Sequence, residues 1–103
     1  MTNLQIAIKV ISDYLQQELS DDYYKDDDIK NWAEMLEAFG WDSEDAKEEI
    51  RTVLWDYANE NNVDCDLNDD DEIEDNDGFT SYRKLTIEIR KELKNRKVFR
   101  WNK

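Results

Sequence analysis

The chain has 103 residues, enough for one domain with a single modest core, and 39% of them are apolar and 12% aromatic beside 40% that are charged. This apolar content excludes a disordered chain, and a net charge of −13 turns an acidic body away from nucleic acid and anionic membrane. Proline is absent and there are only two glycines, so little interrupts regular structure.

The charge is divided unevenly. Residues 1–63 form an acidic body with net charge −11, residues 64–78 an acidic loop with −9, and residues 79–103 a basic element with +7. We read them as three parts of one domain, 1–103, in an all-α fold of about four helices, with the long acidic connection before the last helix.

In the first helix Leu4, Ala7, Ile8, Ile11, Leu15 and Leu19 recur at spacings of three and four. Ile6, Val10 and Tyr14 widen that stripe, which predicts burial on more than one side. The second helix is predicted over "DDDIKNWAEMLEAFG", with three Asp at its start, Gly40 after its end and an inner face of Ile29, Trp32, Ala33, Leu36 and Phe39. The third opens at "WDSEDA", where Asp42 or Ser43 serves as N-cap and Asp45 is placed for a capping box. If Asp42 is the cap, Trp41 and Ala46 form a hydrophobic staple. Ala46, Ile50, Val53, Leu54 and Tyr57 then face inward, and the run "NENN" at 59–62 ends the helix.

The last element is ambiguous. Tyr82, Leu85, Ile89 and Leu93 fit a helix, whereas Leu85, Ile87 and Ile89 alternate with polar residues as in a strand; the Lys, Arg and Glu content favours helix. Among the aromatics, Trp32, Phe39, Tyr57 and Tyr82 read as core, while Trp41, Trp55 and Trp101 fit a second side of the core or an interface anchor. Tyr23 and Tyr24 lie between acidic runs and suit either packing or recognition.

The stretch "DCDLNDDDEIEDNDG", Asp64 to Gly78, holds nine acidic residues and no basic one. Set in a calcium-loop frame starting at Asp66, it supplies Asn68, Asp70 and Asp77 at ligand positions. Asp71 stands where the loop needs its turn glycine, and Asp77 replaces the bidentate Glu. A weak EF-hand-like domain is therefore a poor match, and we expect no dedicated metal site and no cofactor. No enzyme is expected either. The chain has no His to serve as general base, no phosphate-cradling glycine loop, and a lone Cys65 set among carboxylates that raise a thiol's pKa. A single Cys excludes an internal disulfide and fits a reducing compartment. No apolar run approaches the roughly 20 residues that span a bilayer, and the N-terminus lacks a signal-peptide pattern. The expected location is the cytosol.

The surface remains. Asp42, Asp45, Glu49, Asp56 and Glu60 form an interrupted acidic line on the third helix. Asp26, Asp27, Asp28, Glu34 and Glu37 charge the second helix, preceded by Asp21, Asp22, Tyr23 and Tyr24, and Asp69, Asp70, Asp71 and Glu72 charge the connection. Such a surface is either a solvated face or an array that imitates the regular negative charges of DNA. The runs "DDYYKDDDIK" and "DLNDDDEIEDNDG", set among aromatic-bearing helices, resemble the small, acidic, mostly helical phage proteins that act as DNA mimics. The resemblance covers residues 1–78 and is one of composition. It implies an anti-CRISPR or anti-restriction inhibitor in the host cytosol, with a basic nucleic-acid-binding protein as partner: a CRISPR effector, restriction enzyme or nuclease. The alternative resemblance is to acidic immunity proteins that neutralise basic nuclease toxins, for which Tyr23 and Tyr24 stand in a suitable setting. The basic segment from Arg83 departs from both patterns. Three roles are open to it: counter-charge for the acidic loop, pairing with another copy as a homodimer, or contact with nucleic acid held by the target.

Overall fold

The computed structural model describes residues 1–20 and 41–96. In chain order it contains helix α1 (Asn3–Ser20), helix α2 (Glu44–Asn61), strands β1 (Glu72–Asp75) and β2 (Gly78–Ser81), and helix α3 (Tyr82–Asn95). The all-α, four-helix expectation is thus corrected to three helices plus a two-stranded antiparallel sheet among the described residues. The expected second helix, residues 26–40, lies outside them.

The sheet arises inside the acidic connection. Glu72, Ile73 and Glu74 alternate, so one face of β1 presents a single apolar side chain, and Ile73 is fully buried. The strands pair from Glu72↔Ser81 to Asp75↔Gly78, which leaves Asn76 and Asp77 as the turn. Gly78 has φ +136, a conformation that a side chain would strain. Two local bonds precede the hairpin: Asn68 Oδ1 accepts from the backbone N–H of Asp70 at 2.9 Å and of Glu72 at 3.0 Å.

Helix α1 starts with a reciprocal cap. Thr2 Oγ1 accepts from Gln5 N–H at 3.1 Å, and Gln5 Oε1 accepts from Thr2 N–H at 2.8 Å. Its first turn contains no acidic residue, and the hairpin supplies one. Asp75 accepts from the N–H of Asn3 at 2.7 Å and of Leu4 at 3.2 Å, placing a carboxylate on the positive end of the helix from 72 residues away in sequence. Asp75→Ala is expected to cost about 1 kcal/mol, the usual size of a lost N-terminal cap, read as a lower urea midpoint at unchanged slope.

Helix α2 is capped by Ser43, whose hydroxyl accepts from Ala46 N–H at 3.2 Å. The staple and capping box that need Asp42 as the cap are therefore not the ones formed. At the far end Asn62 takes the left-handed conformation (φ 55, ψ 47) and closes the helix where the Asn-rich run predicts. The buried face is Ala46, Ile50, Leu54 and Ala58. Tyr57, expected inward, is 37% exposed, because the 3.6-residue repeat puts Ala58 on the stripe and turns Tyr57 to its edge.

Helix α3 resolves the ambiguity in favour of helix from Tyr82, while Phe79–Ser81 belongs to β2. Ser81 ends the strand and caps the helix, accepting from Lys84 N–H at 3.2 Å. Tyr82, Leu85, Thr86, Ile89 and Leu93 are buried. With Ala7, Ile11 and Leu15 of α1, the α2 stripe, Trp41, Cys65, Leu67 and Ile73 they form one core. Helix α1 touches α2, α3 and β1, so it is the element around which the others gather.

Candidate functional site

The outer side of α2 is set by its inner side. Because Ala46, Ile50, Leu54 and Ala58 are buried, Asp45, Glu49, Asp56 and Glu60 share a face that points away from that stripe. Asp45, Asp56 and Glu60 are exposed and make no ion pair among the described residues. Glu49 is half-buried and accepts from the Tyr14 hydroxyl at 2.9 Å, which fixes its direction against α1. From Asp45 to Glu60 the line runs about 22 Å at 1.5 Å per residue, a length over which one DNA strand shows about six phosphates. Asp42 is exposed just before the helix, and Trp55, 57% exposed, lies beside the line. Where the line meets α1 there is a groove of about 510 Å³, with Val10, Tyr14, Val53 and Tyr57 as apolar lining and Asp56 and Glu60 at its edge.

The acidic connection divides into carboxylates that hold the fold and carboxylates that face solvent. Asp71 belongs to the first group. Its Oδ1 meets Arg51 Nη2 of α2 at 2.6 Å, its carbonyl accepts from Tyr82 N–H at 2.9 Å, and its backbone is left-handed with φ 60. The position that a calcium loop gives to glycine thus makes a left-handed turn here with an aspartate, whose carboxylate is directed at an arginine. Asp75 caps α1, and Glu72 begins β1 with its carbonyl accepting from Asn68 N–H at 2.9 Å. Asp69, Asp70, Glu74 and Asp77 are exposed.

Of the calcium-frame residues, Asn68 spends its side-chain oxygen on backbone N–H groups, and Asp77 sits in the hairpin turn with the next helix starting only at Tyr82. Among the described residues no group of three or more acidic or Cys side chains is arranged to hold an ion. An open cleft of about 990 Å³ lies between the α1 start and the hairpin, with Asp64, Asp66, Glu74 and Asp77 on its walls.

Asp21, Asp22, Tyr23, Tyr24, Asp26, Asp27, Asp28, Glu34 and Glu37 lie outside the described residues, as do Trp32, Phe39 and Trp101. The structure brings together Asp45, Glu49, Asp56 and Glu60, and it separates Asp71, whose carboxylate pairs with Arg51, from the exposed acids; half-buried Glu72 joins the framework through its backbone. Among the described residues Arg51 is the basic side chain that pairs with the acidic connection, through Asp71. Of the basic segment, Arg96 meets α1, its Nη1 lying 2.8 Å from Asp13, while its Nε lies 2.8 Å from Glu92 of its own helix.

The titrating groups follow from these contacts. Burial opposes the charged form of Asp13, but its bonds to Lys9 and Arg96 outweigh this and hold its pKa below the ordinary value. Its contribution to stability is present above the ordinary carboxylate range and is lost as pH falls. Burial, and then the neighbouring Asp66 and Asp64, push the Cys65 thiol up to about 11. The Tyr82 hydroxyl, buried and donating to the Trp41 carbonyl, is raised as well, first by desolvation and then by Asp42. Both groups stay protonated in the folded chain at pH values where the unfolded chain releases their protons. Stability is therefore expected to fall as pH rises above about 9, by up to about 1.4 kcal/mol per pH unit for each group. Urea midpoints across that range check it, and Cys65→Ala should make the decline shallower between pH 9 and 11.

No family model matches the chain, and neither a curated protein nor a solved structure shows significant similarity to it. Among the described residues no helix is long and apolar enough to cross a membrane.

Proposed function

We propose that this protein is an acidic inhibitor that occupies the nucleic-acid-binding groove of a basic host defence protein, with the outer face of α2 as the phosphate-like array. The observation that carries this reading is the acidic line Asp45, Asp56 and Glu60, which makes no ion pair among the described residues, on a helix whose opposite side is locked in the core. A rigid charge array loses little freedom on binding, and carboxylates without internal partners keep their field for an outside one. Action is by occupancy, with no catalytic step and no cofactor, in the cytosol where the target meets DNA. Trp55 and Tyr57, exposed at the margins of the line, supply apolar contact area.

The test is capture by a panel of purified CRISPR effectors, restriction enzymes and nuclease toxins at low salt, followed by elution with rising salt. A member that is retained and released as the Debye length falls from about 10 Å toward 3 Å supports the reading. Retention by none of them, or retention unaffected by salt, rejects it.

A further inference from the structure

The outer face of α3 repeats, with opposite sign, the spacing found on α2. Arg83, Ile87, Arg90 and Lys94 stand at intervals of four, three and four residues, and all are exposed. On α2, Glu49, Val53, Asp56 and Glu60 stand at the same intervals. Equal intervals on two α-helices put each set on one face at equal rises, over about 16 Å. Arg83 and Lys94 make no ion pair among the described residues, although the chain has 27 acidic side chains for 14 basic ones. Arg90 lies 5.5 Å from the centre of the Trp41 ring and has no carboxylate partner among the described residues.

We propose that α3 of one copy docks on α2 of a second copy. Arg83, Arg90 and Lys94 then meet Glu49, Asp56 and Glu60, and exposed Ile87 meets Val53. A constant offset of 34 residues relates every pair, so a parallel alignment of the two helices satisfies all four contacts without a break in register. Two copies of a chain with net charge −13 repel at long range, but at 0.1 M salt the Debye length is about 10 Å, so the repulsion between distant charges is screened while pairs in contact are not. The contact uses two different faces, so it closes when both copies exchange it or when a ring forms. A molecule so associated withholds its α2 face from any other partner. The inference stands on the two helix faces and does not require the inhibitor reading.

Sedimentation of the full chain over a range of concentrations in 0.1 M salt tests it. The mass is expected to rise with concentration above the 12.4 kDa of one chain. The double variants Arg90→Glu/Lys94→Glu and Asp56→Lys/Glu60→Lys, which reverse partners in the same register, should each associate at least tenfold more weakly, and an equimolar mixture of the two should associate again. All four positions are exposed, and circular dichroism confirms that each variant is folded; should one fail, Lys94→Glu and Glu60→Lys alone give the same pattern with smaller losses. A wild-type chain that keeps the single-chain mass throughout overturns the proposal, as does a mixture that stays monomeric. It is also overturned if a monomeric wild-type chain binds a duplex DNA oligonucleotide and Arg90→Glu/Lys94→Glu does not, which assigns the α3 face to phosphates.

Discussion

Ile73→Ala is expected to lower stability by about 3 kcal/mol, within the range of about 2–5 kcal/mol for truncating a buried aliphatic side chain to Ala. The cause is position. Ile73 is fully buried, sits at the centre of the acidic connection, and is the single side chain of β1 that enters the core. Its loss leaves a void beneath the hairpin and loosens two carboxylate contacts on either side of it. One is Asp75 on the start of α1, and the other is Asp71 on Arg51. In a domain of this size each kcal/mol moves Tm by about 4–8 °C, so the variant should melt more than 10 °C lower. An unstructured acidic linker would tolerate the same change within about 0.5 kcal/mol. Differential scanning calorimetry separates the two outcomes.

The second large effect concerns binding. Reversing Asp45, Asp56 and Glu60 to Lys is expected to weaken capture by a retained partner at least 100-fold while leaving the fold intact. The three side chains are exposed and make no ion pair among the described residues, so no internal pair is broken; the only local cost is at Asp45, whose carboxylate favours the first turn of α2. Relief of repulsion in a chain of net charge −13 should even raise Tm slightly. Close charge pairs across an interface are worth about 1.5 kcal/mol or more each, and two such pairs already account for a 100-fold loss. Reversing Asp69 and Asp70 is the matched control, since both are exposed and neither holds the hairpin through an ion pair. Asp71 is left out of that set because its reversal would break the bond to Arg51 and set two positive charges together, which lowers stability.

How much of this was legible in the sequence depends on the length of each signal. The helices were readable because their apolar stripes run through several turns, as with Leu85, Ile89 and Leu93 in α3. The end of α2 was readable from its Asn run. The hairpin is not evident from the sequence, although Asn76, Asp77 and Gly78 between two short alternating runs are turn-forming residues. Each strand has four residues and only Ile73 of them is buried, so the alternation is too short to stand out against nine carboxylates. The roles of Asp71 and Asp75 were hidden for a different reason. Their partners, Arg51 and the start of α1, lie 20 and 72 residues away, and no local pattern records such a contact. In the candidate site, Asp45, Glu49, Asp56 and Glu60 could be grouped by helical period alone. That Asp71 and Asp75 belong to the framework required the tertiary fold.

The central claim is that the α2 face takes the place of nucleic acid on its partner. Displacement of a fluorescent DNA duplex from a partner retained in the capture panel tests this most directly. The account predicts that wild-type chain and the Asp69→Lys/Asp70→Lys variant release the duplex completely, that the Asp45→Lys/Asp56→Lys/Glu60→Lys variant does not, and that rising salt weakens the wild-type effect. A ternary complex in which partner, duplex and this protein remain bound together, or equal displacement by both variants, would contradict it.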